Sequence, residues 1–244
     1  MTTNRRQERR LGPEGALTLI ELLVVLAVVA ILASLLLPTL TQAKARTRAT
    51  LCLSQVRQWA YAMHMYCDDS EDFFPYEGSP MEAIHVGDNR AAWYNAVAPY
   101  ANQIPLKDLY AQRDPPLPGA RSLYLCPSVR DRPGTATVSQ PYFTYGFNNR
   151  LDPDGPAQFR RGQVVSPAET VIFTENSENQ YPSASGRFTP GRHVLRANLG
   201  FCDGHAQAVA TNDYRRTTAE DQDSKIEWRV PRAVYWYPFS GAPP

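Results

Sequence analysis

The stretch from Leu17 to Leu37, LTLIELLVVLAVVAILASLLL, limits what this chain can fold into more than any other. Its 21 residues include no Lys, Arg, Gly or Pro and a single charge, Glu21. As a helix rising about 1.5 Å per residue it spans about 30 Å, the thickness of a bilayer's hydrocarbon core. A carboxylate in hydrocarbon costs about 3 kcal/mol even on lenient insertion scales, so Glu21 needs a partner. Pro38 follows at once and removes one helical hydrogen bond, which kinks or loosens a helix without necessarily ending it. Beyond it, residues 39–68 lack Gly and Pro, and Leu53, Val56, Ala60, Met63 and Cys67 fall on one helical face. The pattern predicts one helix from about Leu17 to Asp68, bent near Pro38, with its second half packed on a sheet. His64 and Met65 sit beside that stripe as packing residues.

Residues 69–244 are long enough for one soluble domain with its own core. The 21 prolines predict short elements and many loops. A formal charge of +1 gives no reason to expect a nucleic-acid partner. Asp68-Asp69-Ser70-Glu71-Asp72 opposes the dipole at a helix end and reads as a solvated acidic turn. Its clustered oxygens admit a calcium site, but the EF-hand spacing is missing. Ala91–Ala101 reads as a short helix, Leu123–Leu125 and Tyr142–Phe147 as short strands, and Glu169–Thr174 as a central strand. Asp203-Gly204 joins two alternating runs, which predicts a two-residue type I′ hairpin. In that register Ala197, Leu199 and Phe201 share a face with Ala206 and Ala208, and Cys202 faces His205. The aromatic tail, Ile226–Val230 and Ala233–Tyr237, reads as an edge strand pair or an exposed subunit contact.

Four cysteines, Cys52, Cys67, Cys126 and Cys202, suit an exported, oxidising compartment without requiring it. On one helix Cys52 and Cys67 would stand about 22 Å apart, so neither can pair with the other. Each would need Cys126 or Cys202, and four reduced, partly buried thiols are the alternative. No CxxC pair indicates a zinc ribbon. His193, Asp203 and His205 carry groups able to ligate a metal such as zinc or to do acid–base work. No nucleophile elbow, HExxH or phosphate loop accompanies them. The plainer reading is structural: Asp203 and Gly204 shape the turn, and His193 bonds adjoining backbone.

Residues 15–25, Gly15-Ala16-Leu17-Thr18-Leu19-Ile20-Glu21-Leu22-Leu23-Val24-Val25, resemble the leader junction of type IV prepilins and type II secretion pseudopilins. The resemblance implies cleavage between Ala16 and Leu17 by a membrane peptidase, N-methylation of Leu17, and Glu21 fifth in the mature chain. Ala16 stands where the family usually has Gly, and Leu17 replaces the commoner Phe. The arginines of the leader place residues 1–16 in the cytoplasm. In a staggered bundle, Glu21 of one subunit would then meet the amino terminus of its neighbour and favour one register of assembly.

His193, nine residues, then Asp203-Gly204 resembles the H-X9-DG signature of prepilin-like proteins. Cys52-Leu53-Ser54, Cys126-Pro127-Ser128, Tyr145–Asn148 and Ser166–Thr170 are similar to further landmarks of that family. The resemblance favours Cys52 with Cys126, which leaves Cys67 with Cys202. It implies an α+β pilin-like fold: residues 1–16 a leader, 17–37 a transmembrane and assembly helix, 38–68 its amphipathic continuation, and 69–244 a head containing an antiparallel sheet. The implied role is that of a non-enzymatic filament or pseudopilus subunit. It would be anchored once in the bacterial inner membrane, with its head in the periplasm or on an extracellular filament. Its partners would be the prepilin peptidase, other pilin subunits, an inner-membrane assembly platform and lipid. The rival expectation is a membrane-tethered enzyme or metal-binding module built on His193, Asp203 and His205.

Overall fold

The computed structural model describes residues 18–117, 119–129, 141–152, 159–179 and 181–243, so Ala16 and Leu17 lie outside it. The chain forms two compact units, Met1–Lys44 and Ala45–Pro244.

Helix α1 runs over Leu19–Asp69 and continues through Pro38. Its start is defined by Thr18. The Thr18 backbone N–H and hydroxyl both donate to Glu21 Oε2, at 2.9 and 2.8 Å, and the Glu21 N–H donates back to Thr18 Oγ1 at 3.2 Å. This reciprocal capping box satisfies donors that a helix's first turn leaves orphaned. In the first unit the apolar residues from Leu19 to Leu37 are exposed all round the helix, with Ala33 half-buried. The segment is long and apolar enough to cross a membrane.

In the second unit the same helix carries a buried face: Cys52, Val56, Trp59, Ala60, Ala62, Met63 and Cys67. That face lies on a five-stranded sheet made of β1 (Phe143–Asn148), β2 (Val171–Asn179), β3 (Ser183–Ala184), β4 (Arg196–Phe201) and β5 (Ala206–Ala210). The strand order is β3-β1-β2-β4-β5. The fold is α+β, with one departure from the antiparallel expectation: β3 runs parallel to β1. The chain leaves the end of the central strand β2, passes β1 and returns on its far side as this two-residue edge strand.

Register determines which residues meet the helix. Tyr145 pairs with Glu175, and Phe147 with Phe173. On the far side of β2, Thr174 pairs with Leu199 and Phe173 with Gly200. Tyr145, Phe147, Phe173, Glu175, Asn198 and Gly200 therefore share the face under α1. Gly200 is needed there: a Cβ would come within 3.1 Å of Ala60 Cβ and 3.2 Å of Val56 Cγ1. Trp59 is the hub, 5.2 Å from Trp93, 5.3 Å from Tyr124 and 5.8 Å from Phe173 between ring centroids.

The β4–β5 connection differs from the expected type I′ turn. Phe201 N donates to His205 O and Gly204 N to Phe201 O, both at 2.9 Å. Of Asp203 and Gly204, only the glycine has positive φ, +92°. The loop is therefore Cys202-Asp203-Gly204, a three-residue turn with glycine at the left-handed position. The extra residue shifts β5 by one, and with period two that flips every side chain. Ala197 pairs with Val209, Leu199 with Gln207 and Gly200 with Ala206. Ala206 and Ala208 thus share the helix-side face, not that of Ala197, Leu199 and Phe201. His205 stacks on Phe201 instead of facing Cys202, with ring centroids 4.3 Å apart.

The sheet's other face is covered by the C-terminal segment. Val171, Ala197, Leu199, Phe201 and Val209 form a second core with Tyr214, Val234 and Trp236. The tail forms no strand pair: Ser224–Glu227 is helical, and Tyr235 makes an isolated bridge to Thr170. Inside this layer the Arg216–Glu227 ion pair is fully buried, Nε to Oε1 2.7 Å. Glu227 also accepts the N–H groups of Trp236 and Tyr237. Leu123–Leu125, expected as a strand, is turn and irregular chain. Tyr124 is anchored there by its hydroxyl, which donates to Tyr94 O and Ile104 O.

Candidate functional site

The H-X9-DG residues occupy opposite ends of β4, which separates His193 from Asp203 by six strand residues, about 20 Å. At the far end, Asp203 Oδ1 accepts His205 N at 3.0 Å and lies 2.6 Å from His205 Nδ1. Cys202 N donates to Thr170 O and Asp203 N to Pro167 O. Asp203 and Gly204 thus build the turn and tie it to the Ser166–Thr170 loop. His193, Asp203 and His205 do not converge, which removes the geometry that a shared metal or acid–base site at these three residues needs.

At the near end, His193 bonds Arg196 O through its backbone N–H at 3.0 Å and turns its ring into the sheet–helix interface. Its Nε2 stands 2.5 Å from Glu175 Oε1. Glu175 is fully buried. Asn198 donates its N–H to Glu175 Oε2 at 3.2 Å and its amide Nδ2 to Oε1 at 3.1 Å. The same amide donates to Ala49 O of α1 at 3.3 Å. Cys126 Sγ lies 3.7 Å from Glu175 Oε1. Cys126 is joined to Cys52 in a disulfide, with Cα atoms 5.3 Å apart. Among the described residues, Cys52, Cys126, Glu175 and His193 bring two sulfurs, a carboxylate oxygen and a ring nitrogen within 4.8 Å of one another. They come from α1, the loop before β1, β2 and the segment before β4.

Glu175 was not singled out by the sequence reading. The available signal was an acid in the middle of a β-branched strand, Val171-Ile172-Phe173-Thr174-Glu175. The alternating pattern puts that position on a covered face, where a charge needs partners.

Cys67 and Cys202, expected to form the second disulfide, are both buried free thiols. Burial pushes the Cys67 thiol up to about 12, and burial first and the neighbouring Cys67 second push that of Cys202 well above its ordinary value. They are core residues with little thiolate character. The acidic turn is not an open cation site either. Arg161 donates to Asp68 Oδ1 at 2.7 Å and to Asp72 Oδ1 at 2.9 Å, and Gly162 N donates to Asp72 Oδ2 at 2.8 Å. The same guanidinium stands 3.1 Å from His64 Nδ1. Burial first and this positive charge second hold the His64 imidazole below its usual pKa.

These features define an α+β protein with one N-terminal helix fit to span a membrane and a disulfide-stapled head. No protein-family model matches the sequence, and no curated protein or solved structure matches it either.

Proposed function

We propose that this chain is a prepilin-like subunit. It is cut between Ala16 and Leu17 by a prepilin peptidase, methylated at Leu17 and held in the bacterial inner membrane by residues 17–37. An inner-membrane assembly platform then draws it into a pseudopilus or type IV pilus-like filament, of the protein-secretion or surface-appendage kind. The head lies in the periplasm or on the filament surface. In this reading the chain is a substrate of the peptidase and a structural subunit, not an enzyme.

One observation carries the proposal. The helix from Leu19 to Leu37 is apolar on every side and unburied, and its single charge sits in the first turn. A carboxylate in an apolar anchor is costly unless it is partnered. In a bundle of sister helices Glu21 can meet the amino terminus of a neighbouring Leu17, and two charges paired away from water favour one register over slipped ones. The capping box adds a second task for Glu21, since one carboxylate oxygen already serves Thr18.

In-cell photocrosslinking from positions along residues 19–37 tests assembly. The proposal expects a ladder of crosslinked multimers whose efficiency depends on axial position. Crosslinks to lipid alone at every position contradict it.

A further inference from the structure

The sulfur pair at the helix–sheet junction is built into more than a staple. We propose that, when the Cys52–Cys126 bond is reduced, this chain binds one zinc ion through Cys52, Cys126, His193 and Glu175. Disulfide and metal would be mutually exclusive ways of tying α1 to the sheet. The inference is independent of the assembly reading.

The donor set is the first argument. Two thiolates, an imidazole and a carboxylate are what zinc selects, whereas calcium and magnesium take oxygen ligands. Distance is the second. Bonds of about 2.0–2.3 Å in a tetrahedron put donor atoms about 3.5 Å apart. Here the four lie within 4.8 Å of one another. Reduction lets the two bonded sulfurs separate, His193 Nε2 and Glu175 Oε1 part from 2.5 Å by about 1 Å, and the wider pairs close by about 1 Å to reach that spacing. The third argument is support from behind the ligands. Asn198 holds both Glu175 oxygens, Arg196 O accepts the His193 N–H, and the Cys126 N–H donates to Thr144 Oγ1 at 2.7 Å. Such outer contacts orient metal ligands and reduce the reorganisation that binding requires.

The chemistry balances with a thiol reductant as co-reactant. Two reductant thiols take up the disulfide as their own disulfide, delivering two electrons and two protons to Cys52 and Cys126. Zinc then displaces both thiol protons to solvent. Glu175 binds as carboxylate and His193 as neutral imidazole, keeping one ring N–H. Reoxidation of the two sulfurs returns the electrons to a disulfide acceptor and expels the ion.

The test uses the full chain in detergent, equilibrated with zinc or with cobalt as a spectroscopic substitute, before and after reduction. The reduced protein is expected to retain about one zinc per chain after desalting and to show thiolate-to-cobalt charge-transfer bands. The oxidised protein should show neither. His193→Gln and Glu175→Gln should each weaken zinc binding by about tenfold or more. A Cys67→Ser/Cys202→Ser variant should bind as the wild type does. A reduced wild-type protein that keeps its fold, exposes two titratable thiols and retains no zinc overturns the proposal. So does binding that survives Cys52→Ser/Cys126→Ser. Because the wild-type comparison needs no substitution, a variant that fails to fold does not protect the idea.

Discussion

His193 and Glu175, 18 residues apart in sequence, meet at 2.5 Å between Nε2 and Oε1 inside the helix–sheet interface. The histidine of the H-X9-DG signature therefore serves a strand two places earlier in the chain, not the aspartate ten residues after it. Removing the ring leaves a buried carboxylate short of a partner. His193→Ala should destabilise the protein by about 1–3 kcal/mol, and Asp203→Ala, which loses a local turn bond, by about 1 kcal/mol. Because the two positions share no partner, their effects should add within about 0.5 kcal/mol. Chemical denaturation of both single variants and the double variant measures this. A coupling well beyond that would mean that the two residues act as one site.

The Arg216–Glu227 pair holds the C-terminal layer together. Arg216 Nη2 donates to Val234 O, while Glu227 collects the Trp236 and Tyr237 amides. Arg216→Met strands Glu227 away from water and should cost about 3–5 kcal/mol. Tryptophan fluorescence should report early loss of the layer around Trp236. An unchanged denaturation midpoint would contradict this role.

How much of this was legible in the sequence varies with the range of the interaction. Helix α1 ends within a residue or two of its expected bounds, because amphipathic spacing and the acidic stop at Asp68–Asp72 are local signals. The Thr18–Glu21 capping box was local too but went unread beside the greater oddity of an acid in an apolar run. The hairpin at Asp203-Gly204 was legible, yet its loop length was not. One residue reversed the faces of Ala206 and Ala208, and that choice depends on Cys202 and Asp203 bonding to Thr170 and Pro167. Glu175 and the Arg216–Glu227 pair depend on tertiary partners that no spacing rule connects.

Acidification should act through His64. Its folded-state pKa lies below its unfolded value near 6.5, because of burial first and Arg161 second. The unfolded chain therefore takes up the proton at higher pH than the folded one. The contribution to stability is complete above about 6.5 and is lost as pH falls through the folded-state pKa. Melting temperature should drop across that range, and His64→Gln should flatten that part of the profile. A profile identical in wild type and variant would assign the acid sensitivity to other groups.

Glu21 has two tasks that substitution can separate. Glutamine can still accept from Thr18 and keep the capping box, whereas alanine cannot. If the charge pairs with a neighbour's amino terminus, Glu21→Gln should retain membrane insertion and helix content but lose multimer crosslinks by about tenfold or more. Glu21→Ala should lose the crosslinks and fray the first turn as well. Full crosslinking in Glu21→Gln would reduce the residue to a helix cap.

The mass of the mature amino-terminal peptide, measured on protein isolated from the membranes or filaments of the producing cell, tests the central claim most directly. The proposed subunit yields a peptide that begins at Leu17 and carries one added methyl group. A peptide that still begins at Met1, or a cut after Ala33, would contradict it.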